Sequence, residues 1–181
     1  MKKILFIVGS SRNNGFNYQL SLCLKELIES KYEISYLDYS NLPFFNQDLE
    51  NPELDIVKSL RKSLINTDGI VIFSPEYNLS YSGYLKNLLD WMSRPLVYND
   101  FSSGTALLNK KVFITGIGGK NKTSYSRENL KSLLEFCNMK VIDSSIGFMV
   151  NNEAWVNNKV VLDNTQKEEL NKLASIIEEN I

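Results

Sequence analysis

The chain has 181 residues, of which 43% are hydrophobic and 23% are charged, and its formal net charge is −1. This length suits one domain with a substantial core, so we expect a single domain over residues 1–181. Nucleic acids and anionic membranes are bound by an excess of Lys and Arg that this chain lacks, and no apolar run approaches the ~20 residues of a membrane span. We therefore expect a cytoplasmic protein that binds neither nucleic acid nor membrane.

The sequence contains no histidine and only two cysteines, Cys23 and Cys137. The absence of histidine excludes the Ser-His-Asp and Cys-His nucleophile arrangements and removes the commonest transition-metal ligand. Each cysteine falls on the apolar face of a predicted helix, where it is interpreted as a small buried hydrophobic residue. We predict no metal site and no catalytic acid or base, so any enzymatic chemistry is expected to come from a bound cofactor.

Along the chain, the spacing of apolar residues alternates between the periods of strands and of helices. Five amphipathic helices alternate with strands predicted at residues 4–8, 34–37, 70–73, 112–115 and 141–146. Thr165 and Glu168 have the spacing of a capping box at the start of the last helix. Such alternation predicts a flavodoxin-like three-layer α/β/α sandwich, with a five-stranded parallel sheet in the order 2-1-3-4-5.

The first strand leads directly into a polar loop at residues 9–17, Gly-Ser-Ser-Arg-Asn-Asn-Gly-Phe-Asn, and then into a helix. The first turn of a helix has unpaired N–H groups and the positive end of the dipole, and both favour a phosphate. Ser10, Ser11 and Asn17 add short polar side chains, and Arg12 adds a forked cation that suits phosphate oxygens. The loop indicates a phosphate site, with an ordinary polar turn as the alternative.

In the predicted strand order, a ligand lies where the loops after strands one and three converge. After strand three, Pro75 ends the strand because it lacks an N–H, and Glu76, Tyr77 and Asn78 form a polar, partly aromatic shelf. Such a shelf suits a flat heterocycle, although a tyrosine packed for stability in a turn is the alternative. After strand four, the glycines of residues 116–119 allow the backbone to approach a ligand closely.

Two long connections break the alternation of strands and helices, at residues 41–52 and 147–163. The second contains Trp155 and is expected to form a hairpin or an arm. Exposed aromatic residues on such connections are candidates for a subunit interface or for the wall of a substrate site. The alternative for each connection is a loop that folds back onto its own core.

Together these loops resemble the NADPH-dependent FMN reductase family of flavodoxin-like proteins, which includes quinone, azo-dye and chromate reductases. The family's phosphate loop, Gly-Ser-x-Arg-x-x-Ser-x-Asn, is matched by Gly9, Ser10, Arg12 and Asn17. Its Pro-Glu-Tyr-Asn motif is matched by residues 75–78. The match continues through Gly83, residues 85–87 and the pair Asp90-Trp91.

The sequence departs from the family pattern at two positions. Gly15 stands where the family usually has a phosphate-binding serine, so one hydroxyl contact is lost, although the Phe16 N–H and the Asn17 side chain are still available to the phosphate. Ser82 stands where the family usually has proline, and we expect this change to loosen the turn before the following helix.

The resemblance implies FMN as a cofactor and NADPH or NADH as the hydride donor, with a small-molecule electron acceptor such as a flavin or a quinone. Glu76 is interpreted as a positioning residue. The family generally forms dimers or tetramers with the flavin near the subunit interface, so a homodimer or homotetramer is expected, with residues 41–52 and 98–101 as candidate interface segments. The residues implied to bind the cofactor are Ser10, Arg12, Gly15, Phe16, Asn17, Pro75, Glu76, Tyr77, Asn78, Gly116, Gly118 and Gly119.

The sequence also bears on three other functions. A flavodoxin-type electron carrier tends to be strongly acidic and to lack an arginine in its phosphate loop, so the net charge of −1 and Arg12 oppose it. A phospho-receiver domain needs carboxylates after strand one and at the end of strand three. In this chain, the corresponding residues 9–11 and 73–75 contain no carboxylate, which opposes this function. A flavin-free binding module is left open by Gly15 and Ser82.

Overall fold

The apolar runs that alternate along the sequence form strands and helices in the computed structural model, which describes residues 1–181. The strands are β1 (Lys2–Val8), β2 (Tyr32–Tyr36), β3 (Gly69–Phe73), β4 (Pro95–Val97), β5 (Asp100–Thr105), β6 (Lys111–Thr115), β7 (Ile117–Gly118), β8 (Lys140–Ile142) and β9 (Phe148–Met149). The helices are α1 (Phe16–Ile28), α2 (Asp55–Ile65), α3 (Gly83–Met92), α4 (Ser124–Phe136), α5 (Asn152–Asn157) and α6 (Asn164–Asn180).

A five-stranded parallel sheet in the order β2-β1-β3-β6-β8 forms the middle layer. Successive residues of a strand point to opposite faces, and the two faces of this sheet carry separate hydrophobic clusters. Leu5 and Ile7 of β1 pack with residues of α2, α3 and α4. Ile4 and Phe6 pack with residues of α1 and α6 on the other face. The predicted flavodoxin-like fold with a parallel central sheet is confirmed.

The observed strand order differs from the predicted one, because the chain has four short strands that the sequence did not predict. β4 and β5 form an antiparallel hairpin after α3, and β7 pairs with β9 in a two-stranded parallel ribbon. The order in chain numbering is therefore 2-1-3-6-8 and not 2-1-3-4-5. The hairpin is largely exposed and the ribbon strands have two residues each, so apolar periodicity carries no signal for them.

The capping box of the last helix lies two residues earlier than predicted. Asp163 Oδ1 accepts a hydrogen bond of 2.8 Å from Gln166 N, and Gln166 Oε1 accepts one of 3.3 Å from Asp163 N. Thr165 and Glu168 have the same spacing as this pair but lie inside the helix. Spacing alone cannot distinguish two overlapping pairs, because the start of the helix decides which one caps it.

The connection after β2 folds back onto α3, which was one of the two alternatives considered. The Pro43 carbonyl accepts hydrogen bonds of 2.9 Å from both Asn87 Nδ2 and Trp91 Nε1. Phe45 N donates to Asn87 Oδ1 at 2.7 Å, and the Phe45 ring meets the Trp91 ring edge-on at 5.0 Å. Phe44, between these anchored residues, is 86% exposed. Asn87 and Trp91, which belong to the family motif, thus hold this connection in place.

Candidate functional site

A cleft of about 140 Å³ lies where the loops after β1, β3 and β6 meet. The chain leaves β1 towards α1 on one face of the sheet and leaves β3 towards α3 on the other face. Diverging connections of this kind leave a crevice at the carboxyl ends of adjacent parallel strands. The lining residues are Ser10, Arg12, Gly15, Phe16, Asn17, Pro75, Glu76, Tyr77, Ile117, Gly118, Gly119 and Trp155.

Ten of the twelve predicted site residues line this cleft, and Asn78 and Gly116 do not. Sequence reasoning also missed two of the lining residues, Ile117 and Trp155. Ile117 could have been found from its place inside the glycine loop, residues 116–119. Trp155 was noted as a possible substrate wall, but nothing in its neighbourhood along the sequence places it beside residues 9–17.

The start of α1 presents backbone donors to the cleft. The N–H groups of Phe16, Asn17 and Tyr18 donate to no acceptor within the protein. Gly15 precedes the helix with a φ of −68°, and the Gly15 N–H closes the loop through a 3.1 Å hydrogen bond to the Arg12 carbonyl. Because these unpaired donors lie at the positive end of the helix dipole, this end of the cleft favours an anion.

Arg12 contacts the residue that directly follows α5. Its Nη2 donates a 2.6 Å hydrogen bond to Asn158 Oδ1, and its guanidinium carbon lies 5.0 Å from the centre of the Phe16 ring. The Trp155 ring also contacts the Phe16 ring, edge-on with the ring centres 5.0 Å apart. The guanidinium has five N–H donors, so those that Asn158 does not use are available to an anion in the cleft.

Asn17 links the first loop of the cleft to the glycine loop. Asn17 Oδ1 accepts a hydrogen bond of 3.0 Å from Ile117 N, and Asn17 Nδ2 donates one of 3.1 Å to the Ile117 carbonyl. Asn17 is only 4% exposed. Its oxygen, the single acceptor of the amide, is therefore engaged by the chain's own backbone.

Ser82 tightens the turn before α3, contrary to the expectation of a loosened turn. The buried Ser82 hydroxyl accepts a 3.1 Å hydrogen bond from Leu85 N and donates one of 2.5 Å to the Gly9 carbonyl. The first bond caps α3, and the second ties this helix to the start of residues 9–17. A proline at this position has no side-chain oxygen and could make neither contact.

Glu76 fastens the shelf after β3 to the start of α4. Its carboxylate accepts hydrogen bonds of 3.2 Å from Ser126 N and 3.3 Å from Asn121 Nδ2. The Ser126 hydroxyl in turn donates to the Pro75 carbonyl at 2.8 Å. A carboxylate at the first turn of a helix is stabilised by the N–H groups there, so the position suits a residue that orients the shelf.

Asn78 falls outside the cleft because the shelf ends in a tight turn. Tyr77 and Ser80 exchange backbone hydrogen bonds of 2.8 and 3.1 Å, and Asn78 and Leu79 between them have φ values of 52° and 61°. Two central residues with positive φ are typical of a type I′ hairpin turn. Tyr77 itself is exposed and lines the cleft.

Gly116 lies behind the cleft, where it allows two backbone segments to approach each other. A methyl group at this position would collide with the carbonyl oxygen of Ser74. Gly119, by contrast, lines the cleft, and a methyl group there would meet nothing within 4 Å. The absence of a side chain at Gly116 is thus required for packing.

A larger cavity of about 310 Å³ lies between α4 and the end of β8. None of the predicted site residues lines it, and the loops after β1 and β3 do not reach it. We therefore take the smaller cleft, where the predicted residues converge, as the candidate site.

Every helix of the structure is too short or too polar to cross a membrane.

Comparison with known proteins relates the chain to a family of flavoenzymes. The sequence pattern of the NADPH-dependent FMN reductase family matches residues 2–154. The 2-hydroxy-1,4-benzoquinone reductase of a Burkholderia species is 27% identical over 168 residues, which cover 91% of this chain and 88% of the relative. The NAD(P)H:quinone oxidoreductase of Solanum tuberosum is 39% identical over 98 residues, 51% of this chain and 50% of the relative. The match to the potato protein thus spans only half of its length.

Solved structures give a similar result. FerB of Paracoccus denitrificans, a flavoenzyme NAD(P)H:(acceptor) oxidoreductase, superposes with a TM-score of 0.80 at 25% identity, over 99% of both chains. Flavodoxin 1 of Bacillus cereus superposes with a TM-score of 0.62 at 13% identity, over 100% of this chain and 99% of that one. The likeness to flavodoxin concerns the fold alone.

Proposed function

The chain belongs to the NADPH-dependent FMN reductase family, and from that membership we propose that its cleft binds FMN and that NADPH or NADH is the hydride donor. The chain is accordingly an FMN-dependent NAD(P)H oxidoreductase. One observation carries the assignment to this cleft: ten residues that the family resemblance singles out, drawn from three distant loops, line the same small cavity. We assign the phosphate to one end of the cleft and the flavin ring to the other.

The phosphate end is the start of α1. The free N–H groups of Phe16, Asn17 and Tyr18 and the cationic fork of Arg12 form a donor set that suits a phosphate monoester. Residues 9–17 contain no carboxylate that would repel it. The residues present therefore fit the phosphate of FMN, and they do so without the serine that Gly15 replaces.

The ring end is the shelf after β3 together with the glycine loop. The N–H groups of Glu76 and Gly119 donate to no protein acceptor, so both are free to read the edge of a heterocycle. Tyr77 and Trp155 are exposed aromatic side chains that can cover a flat ring. Gly118 and Gly119 carry no side chain that would keep a ring away from the backbone.

When bound, FMN would supply the redox chemistry, which is hydride transfer from the nicotinamide followed by electron transfer to an acceptor. The chain's own groups bind and orient. Backbone N–H groups near the ring, such as that of Gly119, would stabilise negative charge there. The Glu76 carboxylate is engaged by Ser126 and Asn121, so its role is to hold the shelf, and we assign no side chain as an acid or base.

We propose small quinones as the acceptor class, because the Burkholderia and potato relatives are named for quinone reduction. Free flavin is the second candidate.

We further propose that residues 1–181 act as one FMN-binding domain in the cytoplasm, with no nucleic acid partner.

The size of the cleft supports a site that a second subunit completes. A volume of about 140 Å³ is below the range of roughly 300 Å³ and more that pockets for drug-sized ligands have. One chain would thus enclose only part of FMN. We propose a homodimer or homotetramer, with residues 41–52 and 98–101 as candidate interface segments, which expose Phe44 and Phe101.

The proposed function is tested by reconstituting the protein with FMN and recording its visible absorbance without oxygen, before and after NADPH and then NADH are added. We expect retained yellow flavin that bleaches rapidly with at least one of the two, and again becomes yellow when a quinone is added. Bound flavin that neither nucleotide bleaches would instead indicate an electron carrier. A protein that retains no flavin would contradict the cofactor assignment and leave only the fold.

A further inference from the structure

We propose that the side chain of Asn17 is chiefly a positioning residue that holds the glycine loop at the ring end of the cleft. Ile117 engages the amide oxygen and one of the two amide N–H donors, which leaves a single N–H for any contact with the phosphate. This inference rests on the proposed FMN site. The family resemblance places Asn17 in the phosphate loop, so a phosphate contact is the natural expectation for its amide. The contacts of that amide point to a different role.

Asn17 pairs with Ile117 as a neighbouring strand would. The free edge of β7 presents Ile117 N–H and C=O, and these meet Asn17 Oδ1 at 3.0 Å and Asn17 Nδ2 at 3.1 Å. A carboxamide has one acceptor and donors in the same plane, as a peptide group does, so it can replace one rung of a ladder. The pair connects positions 100 residues apart and is buried.

The opposite edge of β7 is already paired. Phe148 N and Val150 N donate 2.8 Å hydrogen bonds to the Gly116 and Gly118 carbonyls, which face β9. Ile117 faces the other way, towards α1, where no strand is present. Without the Asn17 amide, the polar groups of Ile117 would be left unpaired inside the protein, at a cost that buried donors and acceptors normally avoid.

The pairing fixes the distance between the two ends of the site. Asn17 belongs to the first turn of α1, whose N–H groups form the phosphate end, while Ile117 precedes Gly118 and Gly119 at the ring end. Gly119 has no neighbour within 4 Å of the position of a side chain, so packing does not hold it on that side. Asn17 and β9 together hold the glycine loop from its two edges.

The test compares FMN with riboflavin, which has the same ring but no phosphate. In Asn17→Ala, we expect the dissociation constants of both flavins to rise by the same factor, roughly three- to tenfold for the loss of one or two hydrogen bonds. Arg12→Ala is the comparison variant, and it should weaken FMN binding by a clearly larger factor than riboflavin binding, because its cation suits the phosphate that riboflavin lacks. If Asn17→Ala behaves like Arg12→Ala, the amide is a phosphate ligand and the inference is wrong.

A second measurement needs neither flavin nor a stable variant. In the wild-type protein without flavin, amide hydrogen exchange at Ile117 should be at least about tenfold slower than at Gly119, because only the Ile117 N–H has a partner. Equal rates would overturn the inference. Failure of the wild-type protein to bind either flavin would instead overturn the proposed function, and with it any role of Asn17 at a ring site.

Discussion

At the scale of single residues, Gly15 and Ser82 depart from the family pattern with different consequences. Ser82 gains two hydrogen bonds that a proline could not make, so this change adds contacts between α3 and residues 9–17. Gly15 makes no compensating contact, since it has no side chain and the start of α1 has no side-chain cap. Its φ of −68° is open to any L-residue, so backbone geometry does not require glycine there.

Gly15→Ser is therefore expected to tighten FMN binding by roughly three- to tenfold, because the hydroxyl adds one donor beside the free N–H groups of α1. A Cβ there would lie 3.1 Å from the Arg12 carbonyl oxygen, which requires a small shift of the loop. Fluorescence titration with FMN measures the change. Gly15→Ala adds the carbon without the hydroxyl and should not tighten binding; equal gains in both variants would contradict the explanation.

The buried phenol of Tyr39 is expected to make the folded protein less stable at alkaline pH. Its ring is buried against Tyr84 with centroids 4.1 Å apart, and its hydroxyl donates a 2.8 Å hydrogen bond to the Val8 carbonyl at the end of β1. Burial raises the pKa of Tyr39 above the ordinary value of the unfolded chain, ~10. Folding therefore favours the neutral phenol, whose contribution to stability is complete below pH ~10 and is lost as the pH rises further.

Tyr39→Phe should lower the free energy of unfolding at pH 7 by about 1 kcal/mol, since one buried hydrogen bond is lost. Between about pH 9 and 11, its unfolding midpoint should fall less than that of the wild-type protein, because the variant has no phenol to ionise at this position. Thermal unfolding followed by circular dichroism over this range measures both effects. Parallel pH profiles would show that Tyr39 does not contribute to the alkaline decline.

At the scale of elements, the site is built from loops that are fastened to neighbouring helices. Glu76 and Ser126 fasten the shelf to α4, Ser82 fastens residues 9–17 to α3, and Arg12 contacts Asn158 at the end of α5. Each fastening joins segments that are far apart in the sequence. The shape of the cleft thus depends on how the helices pack on the sheet.

Alanine substitutions at two glycines of the same loop are expected to differ in their effect on stability. Gly116→Ala should destabilise the protein by about 1–3 kcal/mol, because the added methyl group meets the Ser74 carbonyl and the segments after β3 and β6 must separate. Gly119→Ala is the control and should leave the unfolding midpoint almost unchanged, since space is open there. Chemical denaturation of both variants measures the difference. A stable Gly116→Ala would show that the two segments can move apart at little cost.

How much of the site could be predicted also differs between elements. The loops after β1 and β3 were found from residue types, because proline ends a strand and Gly/Ser/Arg loops before helices suit phosphate wherever they occur. Trp155 was found as an aromatic residue but not as a cleft wall, since its contact with Phe16 joins distant segments. The hairpin β4–β5 was missed because β4 has only three residues and β5 is mostly polar with no buried residue, so their pattern resembles that of a loop.

At the scale of the whole molecule, exposed aromatic side chains suggest where copies of the chain would meet. Phe101 on β5 is 77% exposed and Phe44 is 86% exposed. They belong to the two segments that the sequence analysis named as candidate interfaces. Large apolar side chains that remain exposed in one chain are often covered in an assembly.

We expect the wild-type protein to be dimeric or tetrameric at micromolar concentration, and Phe101→Asp to shift it towards the monomer because a buried charge disfavours the interface. FMN binding should weaken in the same variant if a second subunit completes the cleft. Phe136→Asp is the matched control, since Phe136 is 84% exposed at the end of α4 but lies outside both segments. Light scattering after size-exclusion chromatography gives the masses, and a monomeric wild-type protein would contradict the assembly.

The order of the main elements, the parallel character of the sheet and most of the residues that line the cleft could be read from the amino-acid sequence. These properties follow from local rules: apolar periodicity, the limits that proline sets on the backbone, and the donors at the start of a helix. Three features of the site emerged from the folded structure alone: Asn17 pairs with Ile117, Gly116 lies behind the cleft, and Trp155 lines it. Those contacts join residues far apart in the chain, and they depend on the packing of helices against the sheet, which local patterns do not specify.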